Sequence, residues 1–145
     1  MATPDWYRAL VAVGDALAET DRAELAYWHG AAGADLDGTA PAHEYDVPPI
    51  TVRLGSLGTA FAQRSAELTP EQSGRVLRIL EDVLTSGSET DRNAVATGFV
   101  EALLNAWDLG HDLRAVWRLA GPRTREYCRA WNEFTGVPTP DWMTE

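Results

Sequence analysis

Lysine is missing altogether from this 145-residue chain, so all 12 of its cations are Arg. That excludes chemistry resting on an amine side chain: the phosphate-binding lysine of nucleotide loops, the Schiff-base lysine and the kinase lysine. Cysteine is nearly missing, and a single Cys128 cannot close an internal disulfide; a lone thiol fits a reducing, cytoplasmic setting. Only His29, His43 and His111 could add imidazole ligands, and none has the spacing that brings two ligands onto one helical face. No metal site and no cofactor are therefore expected. Long apolar runs are lacking too: the stretch Ala9 to Ala18 is broken by Gly14 and Asp15. The opening Met1-Ala2-Thr3-Pro4-Asp5-Trp6 itself lacks a basic region, and no stretch of 18 apolar residues follows, so neither a leader peptide nor a membrane span is expected. Positive charge is scarce, with 22 acids giving a net charge of −10. That balance argues against direct binding of nucleic acid, whose phosphates must be neutralised by cations.

What is present is material for a core. Hydrophobic residues make up 45% of the chain and include six Trp, four Tyr and three Phe, enough at this length for one domain, residues 1–145, without a staple. The periodicity is helical. Thr3-Pro4 reads as a cap and first turn, and Trp6, Leu10, Val13 and Leu17 recur at helical spacing, which predicts a helix over about 4–19. Asp21 and Glu24 have capping spacing ahead of a second helix over about 21–32, either separate from the first or continuous with it. Residues 33–50 carry Gly, Pro and Asp without a period and read as an irregular connecting loop closed by Pro48-Pro49. Further helices are predicted over about 52–66, 70–86, 91–108, 112–120 and 122–135. The best start signal is Thr69-Pro70-Glu71-Gln72, in which Thr caps and Pro takes the first turn. Gly87 reads as the next C-cap, and Gly136, Pro138 and Pro140 mark an irregular tail over 136–145. With no strand alternation, the fold class is all-α, a compact domain of six or seven helices whose later pairs have the layout of stacked helical hairpins.

Two groups of residues stand out for function. In segment 91–108 apolar residues cover most of the circumference, and Thr97, Glu101, Asn105 and Asp108 form a polar stripe at helical steps. Polar groups on a largely buried helix either pair or line a cleft. Pairing of Glu101 with Arg114, Arg118 or Arg125 is the structural reading; a pocket on Thr97, Glu101, Asn105 and Asp108, with His111 and Trp107 nearby, is the functional one. The second group is Asp35, Asp37, His43, Glu44, Tyr45 and Asp46, acids around an aromatic anchor, of the kind that attracts a basic protein partner. Gly55-Ser56-Leu57-Gly58 is neither a nucleophile elbow nor a phosphate loop and reads as a close helix contact. Cys128 beside Tyr127 and Trp131 reads as a buried structural thiol.

The segment Asp91-Arg92-Asn93-Ala94-Val95-Ala96-Thr97-Gly98-Phe99-Val100-Glu101-Ala102-Leu103-Leu104-Asn105, followed by Leu119-Ala120-Gly121-Pro122-Arg123-Thr124-Arg125-Glu126-Tyr127-Cys128, resembles small all-helical immunity proteins of bacterial polymorphic toxin systems. Those carry a similar hydrophobic-Phe-hydrophobic-Glu helix and a later Gly-Pro helix start. The resemblance covers the latter part of the chain and implies a non-enzymatic cytoplasmic protein that binds a cognate toxin domain and blocks its active site. It supplies no catalytic residue. Two alternatives stand beside it: a small-molecule-binding or catalytic helical domain built on the Thr97/Glu101/Asn105 stripe, and an adaptor or self-associating scaffold suggested by the Trp content.

Overall fold

The computed structural model describes residues 3–31 and 47–144. Over them the chain is all-α, with seven helices and two single 3-10 turns. Helix α1 is Asp5–Val11, α2 Asp15–Ala31, α3 Ile50–Gln63 and α4 Pro70–Ser86. Helix α5 is one rod built from Glu89–Ala94, a π-helical stretch Val95–Val100, and Glu101–Asp108. Helices α6 Arg114–Leu119 and α7 Pro122–Thr135 complete the set.

The first half departs most from expectation. The break within 4–32 falls at Ala12 to Gly14 and not near residue 20, so α2 runs unbroken past Asp21. A Cβ on Gly14 would sit 2.8 Å from Leu68 Cδ2, and the Val13 carbonyl accepts from Gln72 Nε2 at 3.1 Å, so the turn is fixed by the start of α4. Asp21 is consequently no cap. It is buried in mid-helix, and Thr3 does not cap α1 either: its Oγ1 accepts from Arg53 Nη1 at 3.0 Å.

Later boundaries follow the sequence closely. Thr69 and Gln72 form the reciprocal capping box that opens α4, satisfying two of the N–H groups a helix start leaves unpaired. Ser88 caps α5, whose first residue, Glu89, lies two before the predicted start. Gly87 ends α4 in extended rather than left-handed conformation, and a Cβ there would lie 2.6 Å from the Val83 carbonyl oxygen, so the close approach favours glycine. Gly136 (φ 75°) ends α7 in the left-handed region, where a residue with a Cβ is strained. Part of the predicted irregular tail is ordered: Asp141–Met143 is a 3-10 turn that buries Met143 and sets Trp142 edge-on to Trp107 and Trp117, with centroids 4.8 and 5.8 Å apart.

The core is formed by Leu54, Leu57 and Phe61 of α3, Val76, Leu77 and Leu80 of α4, and Val95, Phe99 and Val100 of α5. Five of the six residues of the π stretch are buried and only Thr97 is exposed, so here the rod is nearly encircled. Phe61 and Phe99 meet at 5.6 Å, and truncating such a side chain costs about 3–5 kcal/mol. The predicted close contact at Gly58 is present: a Cβ would lie 2.7 Å from the Phe99 carbonyl oxygen and 2.9 Å from Ala102 Cβ. Gly98 answers it from α5, its own Cβ position 2.7 Å from the Thr51 oxygen. None of the six Trp is exposed, and Trp6, Trp107, Trp117, Trp131 and Trp142 lie in the core or pack against it.

Candidate functional site

The α3–α5 crossing leaves a groove along its side, an open depression of about 690 Å³ lined by Gly55, Ser56, Thr59, Thr97, Glu101 and Asn105, among others. Its shape follows from the glycines: two backbones this close carry only small side chains between them, and the longer polar ones stand at the margins. The hydroxyls are spent locally. Thr59 Oγ1 donates to the Gly55 carbonyl at 3.0 Å and Thr97 Oγ1 to the Asn93 carbonyl at 2.7 Å, the back-bonding a mid-helix Thr makes when no outside partner takes it. Ser56 Oγ donates to Glu24 Oε2 at 3.1 Å.

Glu101 is the carboxylate in the groove's lining. Its Oε2 accepts from Tyr127 Oη at 2.8 Å, so its partner is a phenol of α7 and none of the expected Arg114, Arg118 or Arg125. The reason is geometric: Arg125 is turned toward the end of α6, where its Nη2 donates to the Trp117 carbonyl at 2.8 Å, and Arg114 chelates Asp112. Burial, together with the bond and charge of Glu101, pushes the Tyr127 phenol well above its ordinary value. The sequence signal for Tyr127 was a Tyr within an apolar stripe, whose hydroxyl needs a partner when buried. At the groove's far edge Arg64 donates to Glu19 at 2.9 Å and is also held by Glu67. Carboxylates therefore dominate the surroundings: Glu19, Glu24, Glu67 and Glu101 against Arg64.

Of the predicted pocket residues, Thr97, Glu101 and Asn105 share the groove. Asp108 does not; one turn on, it lies in a second, smaller cavity that touches the first only at Asn105. Trp107 lines that second cavity, and His111 lines neither. Asp35, Asp37, His43, Glu44, Tyr45 and Asp46 lie outside the described residues. Cys128 is buried, and burial pushes its thiol up to about 12, the wrong direction for a nucleophile. Among the described residues no group of His, Cys, Asp and Glu could hold a metal ion, and no helix is long and apolar enough to cross a membrane.

Two anchors around the site escaped the sequence reading. Arg53 makes a two-point contact with Asp21, Nε to Oδ1 at 3.0 Å and Nη2 to Oδ2 at 2.8 Å, and Tyr7 Oη donates to Asp21 Oδ1 at 2.7 Å. Arg53 is buried and lies 4.4 Å from the centroid of the Tyr7 ring. The second anchor is Glu81 of α4, which accepts from the backbone N–H of Arg123 at 2.8 Å and from the N–H and Oγ1 of Thr124 at 3.0 and 2.9 Å. A carboxylate from another helix thus caps α7, where its charge also suits the helix dipole. Gly121 is required beside it, since a Cβ there would fall 2.4 Å from Glu81 Cδ.

A family model matches residues 54–136, from α3 through the end of α7; its description is Domain of unknown function (DUF7674). No curated protein and no solved structure matches the chain.

Proposed function

We propose, for a chain that belongs to this family of undefined function, the role of a stoichiometric binding protein: an immunity-like inhibitor that engages a basic toxin domain in the bacterial cytoplasm and covers its active site. The observation that carries the reading is the groove itself. It is open, its lining carries Glu101 and Arg64, and Glu19, Glu24 and Glu67 are bonded to it at Arg64 and Ser56, while its two threonine hydroxyls on α3 and α5 are already bonded within their own helices. Such a surface offers shape and negative potential to a cationic polypeptide, and complementary charge speeds encounter and fixes register. It offers little to catalysis, which needs an activated nucleophile or a poised acid and base; the thiol is buried and protonated at neutral pH. On this reading Asp35, Asp37, Glu44 and Asp46, with Tyr45 and His43, which lie outside the described residues, also take part in binding the partner.

The test is affinity capture from host lysate by the wild-type chain, by Glu101→Arg, and by a variant with Asp35, Asp37, Glu44 and Asp46 all changed to Arg. Wild type is expected to retain a basic partner in equal stoichiometry and release it as salt rises, and both variants are expected to lose it. A partner held equally by all three, or one that is itself acidic, overturns the proposal.

A further inference from the structure

We infer that the second cavity, at the far end of the polar stripe, is a binding site for a guanidinium group. It holds about 150 Å³ and is lined by Trp107, Asp108, Trp131, Asn132 and Met143, with Asn105 at its border with the groove. That is well below the few hundred Å³ of a drug-sized pocket; it suits one headgroup or one side-chain tip. Two indoles supply the flat, electron-rich walls on which a planar cation stacks. The acceptors are present as well. Asp108 is exposed and makes no hydrogen bond or ion pair within the described chain, so its two oxygens remain open to a forked donor. Asn132 is 94% buried, the complement of its 6% exposure, and its side chain makes one bond, from Nδ2 to the sulfur of Met143 at 3.5 Å. That leaves its side-chain oxygen Oδ1 as a further acceptor.

Charge selects the same ligand. The stretches that build the walls, 101–110 and 130–144, contain Glu101, Asp108, Glu133 and Asp141 and not one Arg, although five Arg stand between them at Arg114, Arg118, Arg123, Arg125 and Arg129. A quaternary ammonium would use the indoles and leave the oxygens without donors; a guanidinium uses both, with its planar face on an aromatic wall and its N–H fork on the carboxylate. The group can belong to an arginine of a bound polypeptide or to a free guanidino compound. The first source rests on the function proposed above, since Asn105 joins this cavity to the groove and a segment lying in the groove could place an arginine here. The site itself does not depend on it.

The experiment is a titration followed by the indole N–H resonances of Trp107 and Trp131, with N-methylguanidinium as the free probe, the tripeptide Gly-Arg-Gly as the polypeptide probe, and tetramethylammonium as a cation lacking donors. Saturable shifts with methylguanidinium are expected, weakened about tenfold in Asp108→Asn, with tetramethylammonium weaker still. Tighter binding of the tripeptide assigns the site to a polypeptide arginine; equal or weaker binding assigns it to a free compound. Absence of saturation, an unaltered affinity in Asp108→Asn at unchanged melting temperature, or preference for tetramethylammonium overturns the inference. The titration needs no partner, so its failure leaves the capture result standing, and failed capture leaves the titration standing.

Discussion

The buried cluster of Tyr7, Asp21 and Arg53 and the stripe of Glu101, Asn105 and Asp108 are both polar groups set into an apolar helical frame, and they are treated in opposite ways. In the first, the contacts point inward and are complete: both oxygens of Asp21 accept from Arg53, a phenol adds a third bond, and Thr3 takes another donor of the guanidinium. In the second, Glu101 has one bond to Tyr127, and the side chains of Asn105 and Asp108 are exposed and make no bond among the described residues. Completed polar groups joining α1, α2 and α3 specify how the helices meet. Incomplete ones along a groove and a cavity keep capacity for something outside the chain. The same residue types thus separate into two sets by whether their hydrogen bonds are already used, and the binding roles proposed above fall to the second.

The comparison is broken most forcefully at Arg53. Arg53→Ala strands a buried carboxylate, and removal of one partner from such a pair is expected to cost about 3–5 kcal/mol, read by urea denaturation. A companion Asp21→Asn, Arg53→Met double variant should recover a large part of that loss, because the uncompensated charge is then gone. Alkali probes both regions at once. Folded Cys128, Tyr7 and Tyr127 all hold their protons more tightly than the unfolded chain does, each first through burial, with Asp21 and Glu101 adding to the effect at the two phenols. Raised folded values mean that the stabilisation is complete below the unfolded values of 9.0 and 10.0 and is lost as pH climbs through and beyond them. A stability profile should therefore fall above about pH 9, and Cys128→Ala with Tyr127→Phe should flatten the slope; a level profile to pH 11 would contradict the burial.

Gly58→Ala comes next. Its methyl would lie within 2.9 Å of both the Phe99 carbonyl oxygen and Ala102 Cβ, so α3 must move off α5, at about 1–3 kcal/mol for an overpacked contact. The groove is the outer margin of that crossing, so the variant should also weaken capture of the basic partner. Gly74→Ala, where a Cβ meets nothing within 4 Å, serves as the control and should be neutral or slightly stabilising. Below this stands Glu81→Ala, expected to cost about 1–2 kcal/mol by uncapping α7 and to do so without touching either cavity.

How far the sequence reaches is clear from these particular residues. Period and caps were enough for the all-α class and for α3 through α7 to within two or three residues, because Thr69-Pro70, Gly110, Gly121-Pro122 and Gly136 act locally. The turn at Gly14 was not legible, since it is set by Leu68 and Gln72 more than fifty residues away. The π stretch was equally hidden: its apolar residues announce a buried rod, while the widened turn answers to the glycine crossing with α3. The stripe was legible as a set of polar residues, but its division at Asn105 into two sites was not, and neither was Tyr127 in place of an arginine. Those pairings depend on how α7 lies across α5, which no spacing within one helix encodes.

The smallest effect on the fold is the sharpest test of the comparison. Glu101→Gln keeps an oxygen for the Tyr127 hydroxyl and removes the charge, so stability should stay within about 0.5 kcal/mol of wild type. If the stripe serves a cationic partner, the change should instead appear in association: a lower on-rate at low salt, by about tenfold or less, with a shallower dependence on ionic strength. Asp108→Asn should likewise leave stability unaltered, as its carboxylate makes no bond to lose. Substitutions in the buried cluster then weaken the fold, those in the stripe weaken only recognition, and a stripe variant that unfolds the protein while sparing binding would place Glu101 with Asp21 among the structural set.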